Sequence, residues 1–135
     1  DFDIIFEISS ILLITILVGS KNKYDKNWTE IRESLLDLFI KDIDHSLRLI
    51  GVSDIKIGKL VKKYVKKFYF RIPKIEKIII CKDLNLFIDY LKKFNIIDST
   101  NDLSHIKYFF NKIMIMKKRS QLIKNKKLIY KDLFK

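Results

Sequence analysis

The sequence predicts an all-α protein, a compact bundle of about six to seven helices. The 135 residues include only three glycines and one proline. An all-β chain of this length needs many tight turns, and turns draw on those two residues. Apolar residues also recur at three- and four-residue spacing along most of the chain, which is the helical period. Finally, 48% of the residues are hydrophobic. A chain of this size buries roughly two-thirds of its unfolded surface, so a single domain over 1–135 can hold a real core. That content excludes a disordered tail, which is poor in aromatic and branched apolar residues.

The elements follow in order. Residues 2–18 form the most apolar stretch. The run is shorter than the about 20 residues a membrane span needs, and Glu7 interrupts it, so it reads as a core helix, with membrane contact as the weaker alternative. Gly19 is expected to end it, and 20–26 reads as a polar linker. The chain opens on Asp1 rather than Met, as expected of a fragment or a processed form.

Residues 27–50 form a long amphipathic helix in which Trp28, Ile31, Leu35, Leu38, Phe39 and Ile43 share a face. Asn27 or Thr29 is a candidate cap. Gly51 stops this helix, with Leu47 and Ile50 as its last apolar contacts. Ser53-Asp54 marks the next start. A third helix over about 58–71 carries the stripe Leu60, Val61, Tyr64, Val65 and Phe68, with lysines opposite. Pro73 suits the first turn of a fourth helix, 73–81. Asp83 caps a fifth helix holding Leu86, Phe87, Tyr90, Leu91 and Phe94, and 96–101 is a loop. Helix six spans about 102–118, and a weaker last helix spans 119–134.

The net charge of +12 is polarised. Residues 1–54 carry 6 basic and 10 acidic side chains, whereas residues 55–135 carry 22 basic and 6 acidic. Such polarity points to an acidic partner: nucleic acid, an anionic membrane surface or an acidic protein. The competing explanation is codon bias, because a chain without alanine and rich in Ile, Lys and Asn fits an AT-rich coding sequence.

Catalytic and cofactor motifs are missing from the sequence, and neither a cofactor nor a metal is expected. The glycines stand alone at 19, 51 and 58, so no phosphate-cradling loop is present. His45 and His105 lie far apart, and Cys81 is the single cysteine. Cys81 follows three isoleucines and reads as buried filler, and His45 reads as an exposed helix residue. Asp42 and Asp44 lie about 200° apart on a helix and cannot act as a carboxylate pair. Asp44 and Arg48 are spaced for an i,i+4 ion pair.

On the third helix Lys59, Lys62, Lys63, Lys66 and Lys67 make a basic side of the kind that binds phosphates. Of the nearby aromatics, only Tyr69 reads as free to stack. The Gly51 turn has its own logic. Gly51 allows the positive φ that ends a helix, and Asp54 can accept amide hydrogens at the next start. Arg48 and Arg71 are expected to meet carboxylates such as Asp44 or Asp54, giving a polar corner that serves either as a binding site or as scaffold.

Taken as an ordered set over Leu38–Arg71, these features resemble the ubiquinol–cytochrome c chaperone family. The shared elements are Asp42 and Asp44, Leu47-Arg48, Gly51-Val52-Ser53-Asp54, Lys59 with Lys62-Lys63, and Phe68-Tyr69-Phe70-Arg71. The chain departs from the family pattern at Phe70, where glycine is expected, and at Pro73-Lys74-Ile75, which lacks an expected tyrosine. Beyond about residue 80 the resemblance thins. It implies a non-enzymatic assembly factor for the cytochrome bc1 complex that binds newly made cytochrome b, together with a second assembly factor. It also implies work at the mitochondrial inner membrane on its matrix side, or at a bacterial inner membrane on its cytoplasmic side. Peripheral membrane contact and docking on the mitochondrial ribosome belong to the same expectation. The partner-binding residues expected are Asp44, Arg48, Asp54, Lys59, Lys62, Lys63, Lys66, Lys67, Tyr69 and Arg71. The rival reading is a basic RNA- or ribosome-binding helical protein. A helical enzyme acting on lipid substrates is a third.

Overall fold

The computed structural model describes residues 1–21, 26–98 and 100–122. Among these, the chain forms five helices and no strand: α1 (Phe2–Gly19), α2 (Lys26–Leu49), α3 (Asp54–Cys81), α4 (Leu84–Lys93) and α5 (Leu103–Leu122).

Helix α1 is the hub. It packs against α5, α3 and α2, while α4 sits between α3 and α5. Its apolar residues Phe6, Ile11, Leu13 and Ile14 lie in one core with Ile43 and Leu47 of α2, Phe68, Ile75 and Ile79 of α3, Phe87 and Leu91 of α4, and Ile113 of α5. A helix surrounded on this scale must satisfy its polar side chains internally. The Ser10 hydroxyl donates to the Phe6 carbonyl at 2.8 Å and the Thr15 hydroxyl to the Ile11 carbonyl at 2.7 Å. By length and composition α1 is apolar enough to cross a membrane, and half of it is buried inside the protein.

Five helices rather than six or seven are found because two expected breaks are not there. The first is at Pro73, which lies inside α3. Proline removes one amide donor and leaves the Tyr69 carbonyl without its intrahelical partner. Pro73 and Tyr69 are both exposed, so water can satisfy that carbonyl. Phe68 before it and Ile75, Ile78 and Ile79 after it are all buried, and their packing holds the helix together. The second is at 118/119, where α5 continues to Leu122. The rest of the helix expected over 119–134 lies outside the described residues.

Three consecutive helices end in the same way. At the end of α2 the Val52 amide donates to the Leu47 carbonyl and the Gly51 amide to the Arg48 carbonyl, each at 3.1 Å. Gly51 has φ +96°. This is a Schellman motif, and Val52 and Leu47 supply its apolar contact. Lys82 after α3 (φ 51°) and Asn95 after α4 (φ 57°) take the same left-handed role, with the paired amide bonds Asp83 to Ile78 and Ile96 to Leu91. Asp83 then caps α4 as expected, accepting from the Leu86 amide at 3.1 Å.

Other expectations require correction. Gly19 is the last residue of α1, as expected, but it is not a turn glycine. Ser20 is the C-cap, and a Cβ on Gly19 would lie 2.6 Å from Ser120 Cβ and 2.7 Å from the Lys117 carbonyl oxygen. The glycine is there because α5 passes so close to α1. Cys81 is exposed rather than buried, since α3 turns its Ile78–Ile79 edge to the core. Leu38 and Ile50 are exposed; the face of α2 that packs on α1 and α3 is centred on Ile43 and Leu47. His45 is exposed as expected. Helix α2 begins at Lys26, so Asn27 and Thr29 lie within it.

Candidate partner-binding surface

The corner between α2 and α3 is built by the Gly51 turn. It brings Arg48 onto two carboxylates at once: Nε donates to Asp44 Oδ1 at 2.6 Å and Nη1 to Asp54 Oδ1. These bonds, Asp44's first, raise the already high pKa of the guanidinium. Asp54 therefore works through Arg48; Ser53 is the N-cap of α3 and makes no side-chain capping bond. Asp42 points elsewhere, into a groove of about 200 Å³ between α1 and α2 with Phe2, Ile5 and Phe39. Around the polar corner stand Leu49 (73% exposed), Ile50 and Ile55 (94% exposed). Sequence reading missed these because Leu49 and Ile55 flank a turn, where helical phase says nothing about burial.

Arg71 does not join this corner, contrary to expectation. It is buried and grips Glu7 of α1. Arg71 Nη2 donates to Glu7 Oε1 at 2.7 Å, and Nε donates to Oε1 at 3.2 Å and to Oε2 at 3.1 Å. The two side chains are 9% and 8% exposed. The ring centre of Phe94, the C-cap residue of α4, lies 3.9 Å from the guanidinium carbon. In the sequence, Glu7 is only an interruption of the apolar run. A signal is present there, because an acid inside an apolar helix needs a partner, but the sequence does not say which of many cations provides it. Beside the pair, the Tyr90 hydroxyl is buried and has no hydrogen-bond partner among the described residues. Burial first, and then the nearby Glu7, push its phenol pKa up.

The lysines of α3 lie as expected along its outer side. Lys59, Lys62, Lys63 and Lys66 are exposed and Lys67 is half-buried, its Nζ 4.8 Å from the Tyr64 ring centre. With Lys56 and Leu60 they ring an open space of about 910 Å³. One helix provides all of those walls, so this is the room between splayed lysine stems and not an enclosed cavity. Tyr69 is exposed as expected, and Phe70 is more so at 61%. With its side chain in solvent, the helix accommodates Phe70 without distortion, and Lys74 Nζ lies 5.1 Å from its ring centre. Lys74 in turn lies near Lys93 of α4, which lowers its pKa more than any other cause.

This arrangement can hold a partner by charge and by exposed apolar side chains. Among the described residues, no group of three or more His, Cys, Asp or Glu is placed to hold a metal ion. Comparison with known proteins finds no matching curated protein and no matching solved structure. A family model described as Ubiquinol-cytochrome C chaperone does match, over residues 2–86. That span contains α1, α2, α3, the corner, the lysine row and both members of the Glu7–Arg71 pair. It covers more than half of the chain, and the chain belongs to the ubiquinol–cytochrome c chaperone family.

Proposed function

We propose that this protein is an assembly chaperone of the ubiquinol–cytochrome c reductase complex that binds newly made cytochrome b. It acts with a second assembly factor and touches the inner mitochondrial membrane from the matrix side. The observation that carries this reading is the family match over 2–86, which spans the whole α2–α3 corner. The corner is chemically suited to an apolar client. Leu49, Ile50 and Ile55 stand in solvent beside a fixed Asp44–Arg48–Asp54 array, so a client segment meets apolar contacts and oriented charge together. On this reading the protein works by binding and covering a client, without catalysis.

Native pull-down of the tagged protein tests this. Cytochrome b and one assembly partner are expected to co-purify, and Ile55→Ser combined with Leu49→Ser should reduce their recovery. Recovery of unrelated complexes alone would sink the reading. The lysine row is the observation favouring an RNA- or ribosome-binding protein instead. In that case RNA affinity falls steeply with salt, and neutralising Lys62, Lys63, Lys66 and Lys67 weakens it.

A further inference from the structure

Helix α3 has an outward side that no described residue covers, and its composition is unusual. The helix is 28 residues long, or about 42 Å at 1.5 Å per residue. It carries eight lysines and two acids, Asp54 and Glu76. Both acids are already engaged, Asp54 by Arg48 and Glu76 by Lys21. Among the described residues, none of Lys56, Lys59, Lys62, Lys63 or Lys66 forms an ion pair. The helical period places these lysines within about 120° of one another, on the side that also carries Phe70, Pro73 and Lys77. Lys74 continues the positive strip toward Lys93 of α4, and the proximity of those two ammonium groups is a repulsion that a bound anion would relieve.

The same strip carries large apolar side chains: Ile55 near its start, Tyr69 and Phe70 past its middle, and Ile80 near its end, all more than half exposed. We propose that the outer face of α3 lies flat on an anionic lipid bilayer, with its lysines on headgroup phosphates and Phe70 and Ile80 entering the interfacial layer. This gives the membrane contact of the proposed function a defined face, and it rests on that reading for its setting.

Three features select a bilayer over RNA or an acidic protein. Two of the exposed apolar residues are isoleucines, which have no π face on which a base can stack. The single arginine of α3, the residue best shaped for bidentate phosphate recognition, is turned inward onto Glu7. Every outward cation is therefore a lysine, whose apolar stem can lie along the lipid interface while its ammonium reaches the phosphate. A long helix bearing apolar residues along its exposed side also matches a plane better than a grooved nucleic acid.

The test uses the full chain and vesicles of phosphatidylcholine alone or mixed with equal parts phosphatidylserine. Flotation should recover the protein with the anionic vesicles and not with the neutral ones, and added salt should release it. Changing Lys59, Lys62, Lys63 and Lys66 to Gln should lower vesicle affinity by about fivefold per lysine. Phe70→Trp supplies a reporter, because the native Trp28 is buried; its emission should shift to the blue on anionic vesicles. All five positions are exposed, and helical circular dichroism should confirm that the variants fold. The proposal is overturned by equal recovery with neutral vesicles, by binding that survives lysine neutralisation, or by an unshifted emission of the Phe70→Trp variant with RNA as the tighter ligand. If vesicle binding fails while cytochrome b still co-purifies, the membrane face is wrong and the chaperone reading stands. If vesicle binding succeeds while cytochrome b is never recovered, the face stands and the client assignment falls.

Discussion

At the scale of the residue, the Glu7–Arg71 pair decides most. Removing one member of a buried ion pair strands the other charge, which costs about 3–5 kcal/mol, whereas replacing both by apolar residues of similar size is often neutral. Arg71→Ala is therefore expected to lower stability to urea by that amount, and the double variant Glu7→Leu/Arg71→Met by much less. Equal losses in the two would mean that the pair is not buried as described. Tyr64 has a different role. Its hydroxyl donates to Asp3 Oδ1 at 2.7 Å, and burial first, then that bond, push its pKa up to about 12 from 10.0. A phenol whose folded pKa is raised stabilises the fold fully below the unfolded value, and that contribution is lost as pH climbs through the folded one. The thermal midpoint should fall between pH 10 and 12, and Tyr64→Phe should flatten part of that fall. Tyr90 contributes in the same direction.

The residue scale is also where sequence reading reached its limit. Gly51 was legible as a left-handed helix end because glycine advertises positive φ. Lys82 and Asn95 occupy the same conformation, and lysine gives no such sign. The Asp44–Arg48 pairing was legible because both residues lie on one helix at i,i+4 spacing. Arg71 was misplaced because its partner lies 64 positions away, and no local rule selects Glu7.

At the scale of the element, α3 shows how packing overrides a local breaker. Its two halves were legible as helices, and the join was not, because proline's preference for a helix start competes with a continuous buried edge that only tertiary contact reveals. The cost of Pro73 is still present, since the Tyr69 carbonyl has no amide partner in the helix. Pro73→Ala restores that donor and should raise stability by about 1–3 kcal/mol, after allowing for the extra freedom of the unfolded chain. Urea midpoints with an unchanged m-value would verify it, and no gain would mean that α3 is not continuous through residue 73. The same continuity lets the lysines before Pro73 and Lys74 and Lys77 after it act as one strip.

At the scale of the whole molecule, the family match and the fold do not share a boundary. The match ends at residue 86, within α4, yet α1 packs most heavily on α5, at 103–122. A chain ending at residue 98 should therefore lose cooperative unfolding, bind apolar dyes and aggregate, even though it contains every matched residue. Cooperative melting of that chain would show that α1 can cover its apolar side without α5. The all-α class was legible in the scarcity of Gly and Pro, but the α1–α5 partnership was not, because helical periodicity shows that a face is apolar without showing what it faces.

The close approach at Gly19, where α1 meets Lys117 and Ser120, has a consequence for how the chain reaches this state. Its most apolar helix is made about a hundred residues before its principal cover, and contacts of such long sequence separation form late. The earliest stable structure must form elsewhere. The local turns at Gly51 and Lys82, which fold α2, α3 and α4 back on one another, are the natural nucleus. Until α5 closes the bundle, α1 remains an apolar helix without its principal partner.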